Sequence, residues 1–201
     1  MLKTILYFFN LLLVSSGLMG QDYKTKSTTW PVRKFYGGLG AVISAPGVFG
    51  QGSVSIVFNK GLGLSLDGTF AAIKAQNLPS GYKPGLCLFG NCTPKDDVFI
   101  FSSRALKAFN SLDKRTAYIL EAGPSVTIYN QTYFKAISPS FFGRNYDEYR
   151  LSKTGIGLAA KVKVIFSPHK NIGIGLGLYS NVNKVKMING LELNLVFGRF
   201  Y

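Results

Sequence analysis

Residues 171 to 178 read NIGIGLGL, so Ile172, Ile174, Leu176 and Leu178 fall on one side of an extended chain and Gly173, Gly175 and Gly177 on the other. A repeat of two is the period of a β-strand and does not fit the 3.6-residue period of an amphipathic helix. The division returns at 154–166, where Ile156, Leu158, Ala160, Val162, Val164 and Phe166 oppose Gly155, Gly157, Ala159, Lys161 and Lys163. It returns again with Leu62, Leu64, Leu66 and Phe70 against Gly63, Ser65, Asp67 and Thr69, and with Tyr118, Leu120, Val126 and Ile128 against Glu121, Gly123, Ser125 and Thr127. The alternation predicts eight strands, at 34–44, 50–58, 62–73, 98–110, 115–129, 153–166, 171–183 and 190–201. The fourth, VFIFSSRALKAFN, is the least regular: either parity sets a charge on the apolar side or a large apolar residue on the other, so a bulge or a helical turn is the alternative.

The connections carry further information. Asn59-Lys60-Gly61 is a three-residue hairpin with glycine where a positive φ is needed, and it sets Phe58 opposite Leu62, Ile56 opposite Leu64 and Val54 opposite Leu66. Ser111 to Lys114 and Ser167 to Lys170 are also short, at four residues each, whereas about 24 residues follow the third strand and about 23 the fifth. Short and long links alternate as an even-stranded barrel with both termini on one side requires.

Which face points inward follows from size. Eight strands enclose a space that side chains alone fill. The minor face is Gly, Ser, Thr, Asp, Glu and Lys, too small and polar for a dry core, while the apolar face is nearly free of charge over strands long enough to cross a bilayer when tilted. Closure leaves no unpaired backbone in hydrocarbon. The expectation is an all-β chain, an eight-stranded antiparallel up-and-down transmembrane barrel, with a soluble barrel as the alternative. Composition agrees: 16% charged residues is low for a soluble domain, and 23 glycines in 201 residues suit a narrow lumen.

The first residues carry Lys3, an apolar core ILYFFNLLLV and the small residues of SSGLMGQ, the pattern of a cleaved secretory signal. Cleavage after Gly20 is favoured, with Ser16 and Gly17 as alternatives and an uncleaved anchor helix as the rival reading. The organisation expected is a signal peptide over 1–20, a periplasmic lead-in over 21–33 with Trp30-Pro31 as an interfacial anchor, and a barrel over 34–201. In an exported chain Cys87 and Cys92, with four residues between them, read as a disulfide closing a small loop, with two free thiols as the alternative.

The signal peptide, the eight alternating strands and the end LELNLVFGRFY, with Leu191, Leu193, Leu195, Phe197 and terminal Tyr201 on alternate positions, resemble the small outer-membrane barrels of Gram-negative bacteria: the OmpA transmembrane domain, OmpX and the PorT-like barrels. The resemblance implies a location in the bacterial outer membrane. It also implies that Leu193, Leu195, Phe197 and Tyr201 form an insertion signal read by the barrel assembly machinery, a pattern from which Arg199 departs.

Catalysis finds no support. The single histidine, His169, lies in a Ser-Pro-His-Lys turn, where a solvated turn residue is the ordinary explanation, and no glycine-rich turn opens a helix. No cofactor or metal site is expected. The stretch 130–150 holds Tyr133, Phe134, Phe141, Phe142, Tyr146 and Tyr149 with Arg144 and Arg150, read either as an extracellular surface for a protein or glycan or as strands running past the membrane. Without residues 1–20 the chain keeps 22 basic against 9 acidic side chains; beside lipopolysaccharide phosphates that excess is a fit, and export removes nucleic acid as a partner. Inside, Asp67, Arg104, Glu121, Lys161 and Lys163 are expected to share the lumen as a paired, plugging network. The function expected is a non-catalytic envelope-structural, adhesion or assembly role. The alternatives are passage of small or hydrophobic solutes, or an accessory part in a protein-secretion machine.

Overall fold

The structure, a computed structural model, describes residues 32–58, 61–84, 92–110, 115–138 and 145–198. The signal, the lead-in as far as residue 31, Cys87, Phe141, Phe142, Arg144, Arg199 and Tyr201 fall outside them, and residues 32–33, expected in the lead-in, begin the first strand. Eight strands form one sheet: β1 (Val32–Ser44), β2 (Gly47–Phe58), β3 (Leu62–Lys74), β4 (Lys95–Asn110), β5 (Thr116–Ala136), β6 (Tyr146–His169), β7 (Ile172–Asn183) and β8 (Ile188–Gly198). Each pairs antiparallel with the next, and β1 pairs with β8 from Tyr36↔Gly198 to Ser44↔Gly190, closing the barrel. No helix occurs among the described residues.

The β2–β3 hairpin sets Ile56 opposite Leu64 and Val54 opposite Leu66, with Gly61 at φ +75, where a side chain would be strained and would strike the Ala108 carbonyl. The outer belt is apolar and uncovered: Leu66, Leu120, Val162, Ile156 and Leu193 all point out. A closed barrel with such a girdle crosses a bilayer with every backbone group in the wall paired.

Three features differ from the sequence expectation. β5 and β6 run to Ala136 and from Tyr146, so the connection between them is residues 137–145 rather than some 23 residues. Much of 130–150 is therefore strand, because Tyr133, Phe134, Tyr149 and Arg150 each find an opposite residue across the hairpin. β6 also runs to His169, with a register shift between Phe166 and His169, and the turn follows at Lys170 and Asn171.

Third, the inner face is not uniformly small and polar. Val42, Phe49, Ile73, Val98, Ile100, Tyr129 and Ile188 pack together at the end of the long connections, and Tyr36, Val57, Leu106, Ile119, Ile165 and Val196 at the end of the termini. The lumen is therefore layered, apolar at both ends and charged between. This layering resolves the parity of β4: Val98, Ile100 and Leu106 join the apolar layers, Arg104 joins the charged one, and Lys107 points out with its ammonium 5.5 Å from the Phe109 ring.

Candidate functional site

The middle of the lumen is a chain of alternating charges. Lys163 reaches Glu121 at 2.7 Å, Glu121 accepts from Arg104 Nε at 2.9 Å, and Arg104 Nη2 lies 3.3 Å from Asp67. Asp67 in turn accepts from Lys161 at 2.9 Å, and Lys161 lies 3.2 Å from Glu192. The structure thus brings together all five residues singled out from the sequence and adds a sixth. Glu192 lies on the inward parity of β8, and the registers of β6, β7 and β8 bring it to a lysine two strands away. Three cations face three carboxylates, so the layer is neutral.

Three further hydrogen bonds tie the network to its neighbours. Arg104 Nη1 donates to Ser102 at 2.9 Å, Thr69 donates to Asp67 at 3.1 Å, and the Asn194 amide donates to Glu192 at 2.6 Å. The Tyr179 ring lies 5.4 Å from the Lys161 ammonium and also packs in the outer apolar layer, so it joins the two layers. Glycine makes this arrangement possible at Gly175, where a Cβ would collide with the Asn194 amide. Such a network is stable only when complete, because desolvation of each ion is offset only by its partners.

Above the outer apolar layer a second polar cluster centres on Asp96, which is wholly buried. It accepts from the Tyr129 hydroxyl, from the Thr132 amide at 2.7 Å and from the Gln76 amide at 3.1 Å, tying the β3–β4 connection to β5. Lys186 extends from the β7–β8 connection to within 5.5 Å of the Tyr129 ring, and burial pushes its ammonium below the ordinary lysine range while Asp96 opposes that shift. Asn183 shapes this connection: its carbonyl oxygen accepts from the Val185 and Lys186 amides at 2.8 Å, and Val185 packs on the apolar layer. The sequence reading set Asp96 and Lys186 among the charges of the outer connections and did not join them to Tyr129, since nothing in their spacing links three separate segments.

The β5–β6 pair continues upward beyond its neighbours. β4 leaves it at Asn130, opposite Asp97, and β7 leaves it at Gly157, opposite Asn183, whereas β5 and β6 pair as far as Ala136↔Tyr146. On one face Tyr82 of the β3–β4 connection meets Phe134 edge-on at 5.5 Å, stacks on Tyr146 at 6.3 Å and donates to Glu148 at 2.6 Å. On the other, Tyr133 stacks on Tyr149 at 5.6 Å, and Lys153 donates to Gln131 and Tyr133 at 2.8 and 3.0 Å. Arg150 pairs with Asp97 at 2.9 Å. The described aromatic and basic candidates thus stand in paired strands, divided between two faces.

His169 ends β6 in an exposed position, and the nearby Ser167 hydroxyl donates to the His169 and Ile172 carbonyls rather than to the imidazole. A nucleophile and base in hydrogen-bond contact, the first requirement of serine chemistry, are absent there. Cys92 is not a free thiol, and its expected partner Cys87 lies outside the described residues. Leu193, Leu195 and Phe197 face outward on β8.

No family model and no curated protein matches the sequence. Solved structures do match in fold. A major outer membrane protein from Thermus thermophilus superposes with a TM-score of 0.61 at 14% identity, over 82% of this chain and 98% of that one. The N-terminal β-barrel domain of Pseudomonas aeruginosa OprF superposes with a TM-score of 0.53 at 11% identity, over 85% of this chain and 99% of that one. The closed ring, the lipid-facing girdle and these likenesses agree that the chain has the fold of the small eight-stranded outer-membrane β-barrels.

Proposed function

We propose that this chain is a sealed, non-catalytic outer-membrane barrel whose working surface is the tall β5–β6 hairpin and the connections around it. The observation that carries this reading is the neutral six-charge chain held between two apolar layers. A lumen filled in this way offers no continuous polar path, so solute passage loses its route and activity moves to the outer rim. In this reading residues 1–20 are a removed signal, Cys87 and Cys92 close the β3–β4 connection, the basic connections face lipopolysaccharide, and the assembly machinery inserts the barrel through its last strand. The aromatic and basic side chains of the hairpin then meet a protein or glycan outside the cell.

Two measurements test this together. The processed protein should fractionate with the outer membrane and migrate faster unheated than boiled, and in planar bilayers it should be electrically silent. Steady conductance of the wild type would overturn the sealed lumen. Recovery as a soluble protein without a heat shift would overturn the membrane location. Labelling of both cysteines without reductant would remove the disulfide from the reading.

A further inference from the structure

The two ends of the barrel carry charge differently. At the end of the long connections cations stand among carboxylates: Arg150 pairs with Asp97, and Lys135 lies opposite Asp147. At the end of the termini stand Lys34, Lys107, Arg115 and Lys170, and among the described residues no carboxylate lies there. In sequence Arg33 adds to them, and the neighbouring Lys60, Lys114 and Arg199 outnumber Asp113. The lumen does not compensate this charge, since its three carboxylates are already matched by its own three cations. Three of the described cations gather where β4, β5 and β6 reach this end. Lys107 points to the lipid side with its ammonium 5.5 Å from the Phe109 ring. Phe109 is opposite Tyr118, and the rings of Phe109, Tyr118 and Phe166 are each about half exposed. The Ser167 amide donates to the Arg115 carbonyl at 2.8 Å, which sets Arg115 beside the turn that carries Lys170. Exposed aromatic rings at a barrel's end mark the level of the lipid headgroups.

We propose that this band, Lys107, Arg115 and Lys170 around the exposed rings, binds the phosphate of an anionic phospholipid in the leaflet that meets the end of the termini. Lysine and arginine give phosphate oxygens charge-assisted hydrogen bonds, and each cation near a bilayer surface favours an anionic lipid by about fivefold. The cations repel one another, so an anion arriving from outside is what offsets their charge. A lipid fits better than a polymer of the cell wall because Lys107 stands on the bilayer side of the barrel. A molecule whose chains lie along the apolar girdle reaches it there, with its glycerol against the rings and its phosphate beside the cations. This rests on the proposed outer-membrane location, which fractionation tests separately.

The test uses the full chain folded in nanodiscs of equal phosphatidylglycerol and phosphatidylcholine, released into neutral detergent, with the retained lipids counted by native mass spectrometry. Phosphatidylglycerol should exceed phosphatidylcholine by about tenfold or more, and a wash in about 0.5 M salt should remove most of that excess. The triple variant Lys107→Gln, Arg115→Gln, Lys170→Gln should retain the two lipids about equally. The triple variant Lys83→Gln, Lys135→Gln, Lys184→Gln, which loses the same charge from the other end, should keep the preference. A heat shift on gels checks that each variant folds. Equal retention of both lipids by the wild type overturns the proposal whatever the variants do. So does an equal loss of preference in both triple variants, since net charge rather than this band would then select the lipid. Binding of the wild type to purified peptidoglycan that the first variant loses, with no lipid preference, would overturn it in favour of the wall polymer.

Discussion

Arg104 with Glu121 and Arg150 with Asp97 are nearly the same chemical pair at the same distance, 2.9 Å, in two different places. The first lies in the lumen with both side chains wholly buried, whereas in the second the arginine is 60% exposed. Water reaches the Arg150 guanidinium there, although the Asp97 side chain is only 11% exposed, so that pair holds a local geometry and contributes less stability than the buried one. In the lumen nothing replaces a lost partner, and the surviving charge remains desolvated. In the proposed function, charge inside the barrel keeps it shut, while charge on the hairpin is left for a partner.

The largest expected effect comes from removing one member of the buried chain. Replacing Glu121 by Ala leaves both Arg104 and Lys163 short of a carboxylate, and urea titration of the lipid-folded protein should show a loss of about 3 to 5 kcal/mol, less if water enters. An unchanged midpoint would erase the distinction between the two pairs. Next comes the Asp96 cluster, where polar groups are buried but share several donors. Tyr129→Phe removes one of three donors to Asp96 and should cost about 1 to 2 kcal/mol, with faster amide exchange at Gln76 and Thr132 as the local sign. A loss as large as that of Glu121→Ala would mean that the outer cluster, rather than the lumen, holds the barrel together. The smallest effect should be at the hairpin: Arg150→Ala should change stability by under about 1 kcal/mol, with most of that small difference disappearing in high salt.

The period-two pattern by itself determined that the chain makes strands, which side of every strand but the fourth meets lipid, and the register of the β2–β3 hairpin that turns at Gly61. These are local matters: side chains alternate along any extended backbone, and a three-residue turn fixes which residues sit opposite one another. The same reasoning set Asp67, Arg104, Glu121, Lys161 and Lys163 on the inward side. It stopped short of Glu192, whose partner Lys161 is two strands away, and of the apolar residues that divide the lumen into layers. A residue's parity says that it points inward but not how high it stands, and height depends on the stagger accumulated around the closed ring. The lengths of β5 and β6 were hidden for a related reason. Tyr133, Phe134, Tyr146 and Tyr149 suit a strand and an exposed connection equally well, and they become strand because each finds an opposite residue across the hairpin and Tyr82 covers one face. Sequence determined the alternation, whereas only tertiary closure decided which charges meet, because pairing across a barrel depends on the register of every strand between them.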